Sequence, residues 1–192
     1  MTRLWWVRHG PTHAKTLAGW RDIPADLSDT AALARLNAFL PAKALLVSSD
    51  LIRATATADA LSQGRTRLPH RPALREFHFG DWDGMAFAEV SAKWPDLSRR
   101  YWEDPGHTAP PNGESWVMAQ TRIDADVARL LADHSERDII LVAHFGAILT
   151  QVQRGLGISP HEALSHSIDN LSVTRIDVDG DRWHAPLINH RP

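Results

Sequence analysis

The 192-residue sequence contains no cysteine, which excludes disulfides, thiolate metal ligands and any mechanism that needs a cysteine nucleophile. It also lacks a charge bias. The formal net charge is -2, and a near-neutral surface does not draw a chain to nucleic acid or to an anionic membrane. No apolar run approaches the roughly 18 residues of a membrane-spanning helix, and the first apolar stretch is too short for the core of a secretory signal. A cytoplasmic location is the expectation. Eleven histidines invite a metal site, yet no His-Glu-x-x-His or other close ligand spacing occurs. Tyrosine is nearly absent, with one against eight tryptophans, and most of those indoles are expected in the core or in pocket walls. The remaining composition, 43% apolar and 23% charged, suits one well-buried domain over residues 1–192.

The most informative stretch is Leu4-Trp5-Trp6-Val7-Arg8-His9-Gly10-Pro11. Four apolar residues in a row suit a strand covered on both faces, and Gly10-Pro11 forces a turn. Arg8 and His9 therefore fall at the C-terminal edge of a sheet, where open α/β sheets bind ligands. Arginine offers a planar fork for phosphate or carboxylate, and histidine a nitrogen that can be neutral near pH 7.

The same arrangement returns further on. Thr12 to Ala25 has no helical period and reads as a long loop near the strand mouth. Ser28 is positioned to cap a helix through Leu33, Leu36 and Phe39 that ends before Pro41. Ala44 to Val47 forms a second buried strand, and Asp50 or Ser49 caps the helix that follows through Leu61. Arg53, in its first turn, can reach back toward the strand ends, where a helix N-terminus already favours an anion. Leu74 to Gly84 is a structured loop rich in aromatics, glycines and carboxylates. Short helices follow over Ala86 to Trp94 and Asp96 to Trp102, and a long one from about Glu114 to His134. Asp138 to Ala143 is a third buried strand leaving through His144-Phe145-Gly146 into a helix. Pro160 to Leu164 holds one more helical turn, and Leu171 to Val178 with Trp183 to Ile188 forms a hairpin across Asp179-Gly180. Strands alternating with helices give an α/β fold with a mostly parallel sheet.

In this order the motifs resemble the histidine phosphatase superfamily, or phosphoglycerate mutase-like family. They run from Arg8-His9-Gly10 with Thr12, Gly19-Trp20, and Ser48-Ser49-Asp50-Leu51 with Arg53-Ala54, through Leu74-Arg75-Glu76 with Phe79-Gly80-Asp81-Trp82-Asp83-Gly84, to Gly113-Glu114-Ser115 and Val142-Ala143-His144. The resemblance covers nearly the whole chain and implies a three-layer α/β/α architecture. It also implies that His9 attacks phosphorus and carries a phosphohistidine. Arg8, Arg53 and His144 would hold the phosphoryl oxygens, with Thr12, Lys15, Gly19 and Phe145 as further phosphate or substrate contacts. Glu76 would protonate the leaving alcohol and then activate water, its acid form favoured by a loop wrapped in Phe77, Phe79 and Trp82. Asp81 and Asp83 are rival acids. No metal and no cofactor is implied, and the partner is a small phosphorylated substrate.

Some positions depart from the family pattern. Pro11, Lys15, Ala18 and Phe145 stand where relatives differ, and the short chain lacks the insertions of mutases. Both features point to the phosphatase branch, which includes broad-specificity phosphatases and α-ribazole phosphatase. A mutase-type phosphotransferase and a non-catalytic regulator on the same fold remain the alternatives. Trp20, Trp82 and the segment from Trp102 to Trp116 are expected at the pocket rim. An aspartate-nucleophile phosphatase is not the expectation, because only eleven residues follow Asp181 and a hairpin turn is the preferred reading of Asp177-Val178-Asp179; the same segment lacks the glycine and glutamate of a calcium loop.

Overall fold

The computed structural model describes residues 1–134 and 137–192. Strand β1 (Thr2–Arg8) leads through a long loop to helix α1 (Thr30–Phe39), strand β2 (Leu45–Ser48), helix α2 (Ile52–Ala60) and the short strand β3 (Thr66–Arg67). Two 3-10 turns, Pro72–Leu74 and Gly80–Trp82, shape the loop before helices α3 (Phe87–Lys93), α4 (Pro95–Glu103) and α5 (Trp116–Asp133). Strand β4 (Asp138–Ala143), helices α6 (Phe145–Leu156) and α7 (Pro160–Ala163), and the hairpin of β5 (Val173–Asp179) and β6 (Arg182–His190) complete the fold.

The strands form one sheet in the order β3-β2-β4-β1-β5-β6. The first four run parallel, while β5 is antiparallel to β1 and β6 to β5. The apolar runs are explained by helices on both faces. Leu4, Trp6, Val47 and Leu141 point into one core with Ile123 and Val127 of α5 and Ile148 of α6. Trp5, Val7, Leu46 and Ile140 point the other way, onto Leu36 of α1 and Ala54 and Ala58 of α2. Each such side chain, once buried, contributes about 1.5–3 kcal/mol before entropy is counted. Strand β3 has no signature in the sequence because two residues carry no alternation. It exists by pairing with Leu45 and Leu46.

Two helix starts differ from the sequence reading. Asp29, not Ser28, caps α1, its side chain accepting from Ala32 N at 2.9 Å. Neither Asp50 nor Ser49 caps α2, where Leu51 holds the cap position. Both side chains have other partners: Arg75 takes Asp50 at 2.7 and 2.5 Å, and Ser49 Oγ lies 2.6 Å from His144 Nε2. The first turn of α2 is served instead by Asp22 of the long loop, which accepts from Ile52 N at 2.6 Å.

Helices α3 and α4 pack as a cover with a small core of their own, in which Trp82, Val90 and Tyr101 close on Leu17 of the long loop. Among the described residues no helix is long and apolar enough to cross a membrane.

Candidate active site

Parallel register builds the site. Arg8 pairs with Ala143 and Val142 with Ser48, so the three strands β1, β4 and β2 end together. His9 and His144 then leave the sheet side by side, with ring centroids 5.0 Å apart. His9 N donates to Ala143 O at 3.1 Å, which carries the parallel pairing one residue beyond the strand.

His9 is buried, and its Nδ1 lies 2.7 Å from the carbonyl oxygen of Gly10. That carbonyl can only accept, so Nδ1 carries the hydrogen and Nε2 keeps its lone pair. Burial, and then the neighbouring Arg53 charge, push the imidazole down to about 3. It is therefore neutral near pH 7, with a nucleophilic nitrogen facing a cavity that it lines.

Arg53 reaches back from the first turn of α2. Its Nε donates at 3.2 Å to both His9 Nε2 and His144 Nδ1. Its two terminal nitrogens donate to Arg21 O at 2.9 Å and Gly19 O at 2.6 Å. Burial lowers its pKa, while the carboxylates of Glu76, Asp22 and Asp83 act in the opposite sense. Because His144 Nδ1 accepts from Arg53, the neutral ring carries its hydrogen on Nε2 and donates to Ser49 Oγ. Burial, together with His9 and Arg53, holds His144 well below its ordinary value.

Arg8 lies across the ring of Phe145, 5.4 Å from the centroid, and anchors one terminal nitrogen on Ile168 O at 2.6 Å. Its buried Nε has no partner within the protein, so a donor remains for a bound oxyanion. Glu76, also buried, accepts from Phe77 N and Gly146 N through Oε1, both at 3.0 Å. A side chain at position 146 would meet that oxygen at 2.6 Å. The glycine is what lets the carboxylate rest against the start of α6.

Much of the supporting structure involves residues that sequence reasoning assigned another role or none. Asp83, read there as a rival acid, is a clamp on the long loop: it accepts from Gly19 N, Trp20 N and Arg21 N at 2.9–3.1 Å, and from Arg21 Nε at 3.1 Å. The other rival, Asp81, is exposed and accepts from Asn112 at 3.0 Å. Arg122 of α5, paired with Glu114, donates to the carbonyl oxygens of Ala73, Arg75 and Glu76, and so fixes the backbone that presents Glu76. Nothing in the sequence near Arg122 marks it, because the carbonyls it holds lie more than 40 residues away in the chain.

The cavity holds about 510 Å³ and is lined by Arg8, His9, Thr12, Arg53, Glu76 and Phe145 at its polar end. Four expectations need correction. His144, expected against the phosphoryl oxygens, is wholly buried outside the cavity wall, with its ring nitrogens taken by Ser49 and Arg53. Lys15 is exposed and does not line the cavity, although its neighbours Ala14 and Thr16 do. Gly19 is not in the wall either; it acts through its carbonyl on Arg53, held in place by Asp83. Of the expected rim tryptophans, Trp102 and Trp116 line the cavity, whereas Trp82 is wholly buried in the core of the cover. Trp20 lies behind the Glu76 loop, between Arg75 and His78, and its Nε1 donates to Glu76 O at 2.8 Å.

A model of the histidine phosphatase superfamily (branch 1) matches residues 4–191. Glucosyl-3-phosphoglycerate phosphatase of Mycobacterium tuberculosis is 37% identical over 97% of this chain and 94% of its own length. Adenosylcobalamin/alpha-ribazole phosphatase of Escherichia coli is 28% identical over 98% and 96%. The native structure of the mycobacterial glucosyl-3-phosphoglycerate phosphatase superposes with a TM-score of 0.85 at 28% identity, covering 100% of both chains. With a mixed, mostly parallel six-stranded sheet carrying these two histidines at its edge, the chain belongs to the histidine phosphatase superfamily, branch 1, and is a phosphoric monoester hydrolase.

Proposed function

We propose that the protein hydrolyses a small phosphomonoester in two steps through a phosphohistidine on His9, with Glu76 as general acid and base. The observation that carries this reading is the neutral His9 ring, with Nδ1–H held by Gly10 O and Nε2 turned to the cavity beside Arg53.

In the first step Nε2 attacks phosphorus and the ester P–O bond breaks. Glu76 gives its proton to the departing alkoxide, so the alcohol leaves neutral. Gly10 O supports the positive charge that forms on the phosphorylated ring. In the second step Glu76 takes a proton from water, the water oxygen bonds to phosphorus, and the N–P bond breaks to release phosphate. The free Nε donor of Arg8 and the Arg53 guanidinium supply fixed positive charge around the equatorial oxygens, while neutral His144, its one ring hydrogen held by Ser49 Oγ, positions Arg53 Nε through Nδ1. Arg53 Nε, which meets the Nε2 lone pair at 3.2 Å, is the donor that must pass to a phosphoryl oxygen before attack.

Neither step calls for a metal or a cofactor. The names of the relatives cited above support a phosphorylated small molecule as substrate, and a cytoplasmic location fits such a metabolite. Hydrolysis of alkyl phosphates in the presence of chelator tests the reading, with wild type beside His9→Ala. Turnover unaffected by chelator and lost in the variant is expected. Turnover that survives in His9→Ala, or that chelator abolishes, would overturn it.

A further inference from the structure

The phosphate end uses only a small part of the 510 Å³ cavity. Beyond it the wall includes Leu17, Phe79, Phe87, Tyr101, Trp102 and Leu164. We propose that this wall selects phosphomonoesters whose alcohol carries an uncharged aromatic or apolar body, and disfavours those whose alcohol carries a carboxylate. The inference rests on the phosphatase reading above and adds the class of leaving group.

Three observations support it. First, Arg8 and Arg53 are the cations among the described lining residues, and both belong to the phosphate end. A carboxylate on the leaving group would be desolvated in the outer cavity without a counter-charge, which costs far more than leaving it in water. Lys15, the nearest lysine in sequence, is exposed outside the wall.

Second, the polar groups of the outer wall are neutral. Tyr101 is 5% exposed, and its hydroxyl is kept protonated chiefly by burial. That hydroxyl is buried without a partner. The other polar residues of the wall, Thr12, Thr16 and Thr108, are likewise neutral, which suits a hydroxyl or ether oxygen on an otherwise apolar body.

Third, Phe87 is 56% exposed yet lines the cavity, with its ring 5.8 Å from that of Trp102. An exposed phenylalanine gains little from packing within its own fold. Beside an indole at the cavity wall it makes a surface on which a flat, apolar group can stack.

The test compares three monoesters of aliphatic alcohols: ethyl phosphate, 2-phenylethyl phosphate and 3-phosphoglycerate. Using alkyl esters throughout keeps leaving-group acidity from imitating binding. For wild type, kcat/KM is expected to be about tenfold or more higher for 2-phenylethyl than for ethyl phosphate, the lower bound for burying a ring. For 3-phosphoglycerate it should fall at or below the ethyl value. Phe87→Ala should shrink the 2-phenylethyl to ethyl ratio, and Phe87→Arg should raise 3-phosphoglycerate relative to 2-phenylethyl phosphate. A ratio near one in wild type, or 3-phosphoglycerate as the best of the three, would overturn the selectivity while the phosphatase reading stands. No hydrolysis of any of the three would overturn both.

Discussion

At the scale of single residues, the two histidines and Glu76 carry consequences that can be measured separately. Glu76→Gln retains the hydrogen-bonding shape but cannot exchange the proton, so kcat for an alkyl phosphate should fall by about 10²–10⁴. An activated aryl phosphate, whose leaving group needs no proton, should still phosphorylate the variant. Phosphoenzyme should then accumulate, because water is no longer activated; equal losses on both esters without accumulation would contradict the assignment. His9 is neutral in the fold down to about 3, against 6.5 for the free side chain. Between those values the unfolded chain binds the extra proton and the native one does not. Stability should therefore fall as pH drops below about 6.5, by up to about 1.4 kcal/mol per pH unit for His9, with His144 acting in the same direction. Urea titrations from pH 7 to 4 should show a shallower decline for His9→Gln. Arg8, His9 and His144 were legible as a cluster because each follows an apolar run and precedes a break or a glycine. Glu76 was marked only by its motif, and Lys15 was misplaced because sequence order cannot say which residues of a loop face inward.

At the scale of elements, loops are held by side chains that arrive from elsewhere, and these were the least legible parts. Asp83 gathers three successive backbone N–H groups of the long loop, and that loop in turn supplies the carbonyls that hold Arg53. Asp83→Ala should cost about 1.5–3 kcal/mol of stability, as expected for lost bonds to a charged group. It should also lower kcat/KM well beyond that of Asp81→Ala. Similar activity for the two variants would show that the clamp is incidental. Gly146→Ala should displace the Glu76 carboxylate from the start of α6, because the added carbon would meet Oε1 at 2.6 Å. A loss of kcat with melting temperature kept within a few degrees is the expected pattern. The caps teach the same point. Asp50 and Ser49 carry the right chemistry for the start of α2, but Arg75 and His144 compete for them, and local signals do not reveal such competition.

At the scale of the whole molecule, the fold was legible because its buried strands are short, almost uninterrupted apolar runs, and only a sheet covered on both faces can bury every residue of such a run. The parallel register then brings two distant histidines within one ring contact. What the sequence could not convey is the cover: α3 and α4 were visible as helices, but only the packing of Trp82 and Tyr101 on Leu17 shows that they roof the cavity. The central claim, covalent catalysis by His9, is tested most directly by rapid-quench labelling. Glu76→Gln protein would be mixed with a radiolabelled aryl phosphate in the presence of chelator, quenched in base, digested and sequenced by mass. Base-stable, acid-labile phosphate on Nε2 of His9 is the expected result, absent from a His9→Ala/Glu76→Gln control. Phosphate on His144 or on a carboxylate, or turnover that proceeds with His9 replaced, would contradict it.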